Sequence, residues 1–96
     1  MSPKNKIKLN FLRKKLDNLD IQLLKIVKER TEIIKKVLSL KAYKKEIVDK
    51  KRISIILKKI KKESLKRNID PKITHRIWKN MIWSYINFEK KNFKKK

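Results

Sequence analysis

Ninety-six residues, 31 of them Lys or Arg against nine Asp or Glu, give this chain a formal charge of +22. The length suits one domain whose solitary core would be marginal, while the absence of glycine and cysteine excludes a turn-rich β fold, disulfides and cysteine-ligated metals. No apolar run is long enough to span a membrane, and Met1-Ser2-Pro3-Lys4 lacks a signal-peptide core, so the expected compartment is the cytoplasm.

The first predicted helix runs from about Lys6 to Ala42. Leu9, Leu12, Leu16, Leu19, Leu23, Ile26, Arg30, Ile33, Val37 and Leu40 recur in steps of three and four, a coiled-coil seam sustained over about four heptads. A second apolar stripe, Leu24, Val27, Ile34 and Leu38, runs beside it, and a helix with two such stripes touches more than one neighbour. At about 1.5 Å per residue the rod is roughly 50 Å long. The rest of the chain is too short to cover it, so a second copy is the expected cover.

Tyr43 to Glu46 reads as a short connection. From about Ile47, the residues Val48, Ile53, Ile56, Leu57 and Ile60 predict a shorter amphipathic helix that fades in the polar stretch Lys61 to Asn68. Asp70-Pro71 restarts the chain, with Asp as N-cap and Pro at the first helical position. The third helix carries Ile77, Trp78, Met81, Ile82, Tyr85 and Phe88 at helical spacing, and Lys90 to Lys96 forms a basic tail. The expected fold is all-α, a single domain over 1–96 with long, short and medium helices and frayed tails at 1–5 and 91–96.

Of the basic residues only Arg13, Arg30, Arg52, Arg67 and Arg76 are arginine. Where lysine serves for any plain charge, a retained guanidinium points to the planar fork that grips a carboxylate or phosphate with two hydrogen bonds. A basic helical nucleic-acid-binding module is the other reading of the charge. Lysine dominates, however, and the aromatic residues sit in a core-like stripe rather than among the cations, so solvated lysine faces are expected and nucleic acid is not the expected partner.

Four positions break the apolar pattern. Arg30 occupies a seam position where the other members are apolar, and a buried guanidinium needs an acidic partner, either a side chain or a ligand. Lys41 follows eleven residues on, close to three turns and about 16 Å, and so projects from nearly the same face. Arg13 precedes Arg30 by about 25 Å, too far for both to touch one small molecule from the same helix. In an antiparallel pair of such helices, Arg13 of one copy can reach a site on the other. Glu89 continues the stripe of the third helix, where a carboxyl facing a core must be paired or protonated. The bland readings are a buried ion pair for Arg30, a rim position for Arg13, and solvated positions for Lys41 and Glu89. Asp49 and Arg52 lie one turn apart and suit a helix-surface pair. His75 has no companion at metal-ligand spacing and reads as a surface residue, and Trp78 and Trp83 read as packing residues.

These spacings resemble the all-helical (type II) chorismate mutases over about Leu9 to Glu89. The pattern appears as Leu12-Arg13, Leu16-Asp17, Leu19-Asp20, Leu23-Leu24, Glu29-Arg30, Val37 and Lys41 in the first helix. It continues as Val48-Asp49 and Arg52 in the second, and Ile77-Trp78, Met81-Ile82 and Glu89 in the third. The resemblance implies an intertwined homodimeric helical bundle, three helices per protomer, that rearranges chorismate to prephenate in aromatic amino-acid biosynthesis without a cofactor or metal. It implies that Arg30 and a partner-donated Arg13 clamp the two carboxylates, that Lys41 and Glu89 serve the ether oxygen, and that Arg52 and the backbone near Asp49 complete the anion pocket. Two departures stand out. The family commonly has Glu after Arg52, a contact for the substrate hydroxyl, where this chain has Ile53; and it often has Ser where this chain has Tyr85, whose hydroxyl is a substitute donor or whose ring fills space. The loss at Ile53 keeps isochorismate pyruvate-lyase activity, known on the same scaffold, as an alternative. A mutase-like domain that has kept the fold without full activity is another.

Overall fold

A computed structural model describes residues 1–94. Helix α1 spans Pro3–Leu40, a short 3-10 turn Lys44–Glu46, helix α2 Lys50–Lys66 and helix α3 Pro71–Asn92. Among the described residues the fold is all-helical, with no strand. The chain divides into two compact units, Met1–Ile33 and Ile34–Lys96.

In the first unit α1 begins where the Ser2 hydroxyl accepts from the Asn5 amide at 3.2 Å, taking up one of the donors that a helix start leaves unpaired. The helix therefore includes Pro3 to Asn5, inside the stretch expected to fray. All 38 residues of α1 amount to about 57 Å of helix. The seam is regular, but in a single chain it stays open: Leu12, Leu16, Leu19, Leu23 and Ile26 are each more than half exposed.

The second unit buries what it can. Leu38 near the end of α1, Ile47 in the connection, and Ile82 and Ile86 on α3 form the buried cluster, with Val48, Ile53, Ile56, Leu57 and Phe93 packed against it. Helices α2 and α3 pack side by side. Their turn is closed by Asn68 at φ 56°, a left-handed position that asparagine tolerates better than most side chains, which is how a chain without glycine makes this corner. The Ile69 amide donates to the Ser64 carbonyl at 2.9 Å and the Arg67 amide to the Glu63 carbonyl at 3.2 Å, satisfying carbonyls at the end of α2.

Two boundaries differ from the periodicity. α2 starts at Lys50, not Ile47, because Asp49 is its N-cap and Ile47 lies in the loop before it, buried in the cluster with Leu38, Ile82 and Ile86. It then continues through the polar stretch to Lys66. Its inward residue there is Ser64, 3% exposed, whose hydroxyl donates to the Ile60 carbonyl at 2.6 Å and lies 2.7 Å from the Thr74 hydroxyl of α3. A polar pair thus does what an apolar position would have signalled. α3 starts as its cap predicts, with the Asp70 carboxylate accepting from the Lys72 amide at 2.9 Å. It ends at Asn92, beyond the expected start of the basic tail, while Lys95 and Lys96 lie outside the described residues. Among the described residues no helix is long and apolar enough to cross a membrane.

Candidate active site

Two expected site residues meet in the second unit. Lys41 follows the last residue of α1, and its amide donates to the Leu38 carbonyl at 3.1 Å. Its ammonium donates to Glu89 Oε1 at 3.0 Å. Glu89 sits two turns after Ile82 on α3, so it shares the inward face with Ile82 and Ile86, and it is only 6% exposed. The Lys41 side chain is 19% exposed. Burial deprives a carboxylate of water and makes an unpaired one costly; the Lys41 ammonium supplies the missing partner. The side chain that breaks the α3 stripe is therefore a paired core acid. A buried ammonium–carboxylate contact also places two groups of matched chemistry at one point. An ammonium has three donors, so Lys41 retains hydrogen-bonding capacity for a ligand while touching Glu89.

The loop carrying Lys41 is closed by contacts that periodicity does not reveal. The Ala42 amide donates to Glu46 Oε2 at 3.0 Å, the Glu46 amide to the Tyr43 carbonyl at 3.0 Å, and the Ile47 amide to the Lys44 carbonyl at 3.1 Å. Ile47, 3% exposed, anchors the far end of the loop in the core. Lys45 adds a cation–π contact, 5.5 Å from the centre of the Tyr43 ring. The only signal in the sequence is an acid beside an apolar pair, Glu46-Ile47-Val48, in a stretch otherwise rich in lysine.

Asp49 and Arg52 are joined differently from the expected surface pair. Asp49 Oδ1 accepts from the backbone amide of Arg52 at 2.9 Å, capping α2 and leaving the exposed guanidinium on the first turn. Tyr85 lies one turn before Glu89 and is half-buried. Ile53 packs against the apolar cluster and also lines a groove of about 1100 Å³ between α2 and α3, whose other walls include Leu57, Ile73, Lys58, Lys61 and Arg76. That groove contains neither Lys41 nor Glu89.

The remaining two residues belong to the first unit. Arg30 is half-buried and Arg13 exposed, and they are seventeen positions apart on α1, about 25 Å. One small dianion cannot bridge them within a copy. Among the described residues no group of three or more His, Cys, Asp or Glu is placed to hold a metal ion.

A comparison with curated proteins and with solved structures finds no match. The family model described as chorismate mutase type II matches residues 12–90. This span takes in parts of both units and all seven candidate site residues, from Arg13 to Glu89. The chain accordingly belongs to the chorismate mutase type II family, enzymes that catalyse an intramolecular isomerisation.

Proposed function

We propose that this protein rearranges chorismate to prephenate in a site completed by a second copy of the chain. The observation that carries the reading is the Lys41–Glu89 contact at 3.0 Å, which holds a cation at a fixed point beside a buried side chain of matched chemistry. The rearrangement breaks an ether C–O bond as a C–C bond forms in one step, so no nucleophile or cofactor is required. What an enzyme contributes is the folded conformer of the substrate and complementarity to charge that grows on the ether oxygen.

Arg30 and the Arg13 of a second copy hold the two carboxylates through charge-assisted hydrogen bonds, and Arg52 with the backbone near Asp49 adds to the anion pocket. Restricting the side chain of the substrate in this way removes orientational entropy before the reaction begins. Lys41 donates to the ether oxygen, and Glu89 donates to it when protonated. By comparison with oxyanion-hole donors, each such contact is worth about 3–4 kcal/mol in the transition state. Tyr85, one turn from Glu89, supplies a hydroxyl at the same end. The open seam of α1 supports the twofold assembly, because contiguous exposed apolar patches mark interaction surfaces. So does the distance of about 25 Å between Arg13 and Arg30, which one copy cannot close.

The direct test is turnover of chorismate and of isochorismate by the purified protein. Chorismate should be lost to prephenate; loss of isochorismate alone, with release of pyruvate, would replace this reading with a lyase. Lys41→Ala should lower kcat about 10²–10³-fold. Arg13→Ala and Arg30→Ala subunits, each inactive, should regain about a quarter of native activity when mixed and exchanged, since random pairing makes half the dimers mixed and each mixed dimer has one intact site. Exchange without rescue would remove the shared site.

A further inference from the structure

We infer that Glu46 is a positioning residue for the reaction, acting through Lys41. This rests on the proposed role of Lys41 and extends it to a residue that does not touch substrate. Lys41 lies outside α1 and receives no support from regular helical bonding beyond its amide contact with Leu38. A cation meant to meet developing charge must be held in place, and a lysine side chain on a free loop is poorly suited to that. Two restraints act on it. On the side-chain end Glu89 takes the ammonium at 3.0 Å. On the backbone end Glu46 Oε2 takes the amide of Ala42, the next residue, at 3.0 Å.

The second restraint is anchored. Glu46 closes the 3-10 turn, and the residue after it is Ile47, one of the most buried side chains in the chain. The core thus holds Ile47, the turn fixes Glu46 relative to Ile47, and the Glu46 carboxylate fixes the peptide between Lys41 and Ala42. An ionised acceptor makes this a charge-assisted bond, stronger than a neutral one. Removing it frees the peptide that sets the direction of the Lys41 side chain, and misplacing a catalytic group by about 1 Å or less costs rate rather than binding.

The experiment is a double-mutant cycle read in kcat on the full-length protein. Glu46→Ala should lower kcat about tenfold with KM little changed, the size expected of a loosened but still present catalytic group. Glu46→Gln, whose amide oxygen still accepts from Ala42, should stay within about twofold of native. In a Lys41→Ala background Glu46→Ala should have no further effect, because the group it positions is gone. Thermal melting and circular dichroism should show each variant folded. An equal loss in both backgrounds, an unchanged kcat in Glu46→Ala, or a Glu46→Gln variant as slow as Glu46→Ala would overturn the assignment. Native activity in Lys41→Ala alone would instead remove the role of Lys41, and the role of Glu46 with it.

Discussion

Between Leu12 and Ile26 the apolar side chains stay open to solvent, whereas Ile34 to Asn92 gathers a small core around Leu38, Ile47, Ile82 and Ile86. The first region carries the longer run of apolar residues at steps of three and four. The contrast teaches that periodicity reports a face to be covered without saying which molecule covers it. In the second region the cover lies within the chain, and even a carboxyl group is drawn in because Lys41 meets it. In the first, the seam from Leu12 to Ile26 is left unmatched.

The largest effect should come from breaking the open region. Leu16→Asp combined with Leu19→Asp puts charge on the seam, and an unpaired charge in an interface costs about 3–5 kcal/mol. Sedimentation should show at least about 10²-fold weaker association, with chorismate turnover lost in parallel. A variant that associates and reacts like the native protein would show that the seam is not where copies meet. Next, Ile86→Ala in the closed region should cost about 2–5 kcal/mol in denaturant unfolding, the usual penalty for emptying a buried aliphatic site. Leu19→Ala, the same kind of truncation on the open face, should cost the isolated protomer no more than about 0.5 kcal/mol and register only when copies associate. Equal losses at both sites would erase the contrast between the regions.

Ser64→Ala should cost less than Ile86→Ala, about 1–2 kcal/mol, since it leaves the buried Thr74 hydroxyl without its neighbour at 2.7 Å. Glu89→Gln should cost a similar amount, at least about 1 kcal/mol in denaturant unfolding, because its amide oxygen still accepts from Lys41 but the counter-charge of the ammonium is gone; an unchanged midpoint would show that the pair does not support the fold.

The three helices are readable because their signals are local. Asp70-Pro71 joins a cap to a residue that suits a first helical turn, and the structure starts α3 there. Periodicity misplaces the start of α2 because Ile47 and Val48 look like helix face when they anchor a loop, a distinction made only by what packs against them. It misjudges the end of α2 because the inward residue there is a serine matched to a threonine ten positions away. Glu89 is visible as an interruption of a stripe, yet its partner comes from forty-eight positions earlier, beyond the reach of any helical period. Arg13 and Arg30 can be placed on their helix, but their separation makes a site only if another copy contributes. Glu46 leaves the faintest trace, because a side chain accepting from a backbone amide four residues earlier has no signature in hydropathy.

The open seam of α1 is interleaved with positive charge, and nine acids cannot neutralise 31 cations. Bringing two copies together must therefore work against mutual repulsion, which dissolved electrolyte screens over about 8 Å at physiological ionic strength. The same electrolyte weakens the pull of the protein on a dianionic substrate. Added salt should thus raise activity and then lower it when the enzyme is dilute and association is limiting, and should only lower it when the enzyme is concentrated.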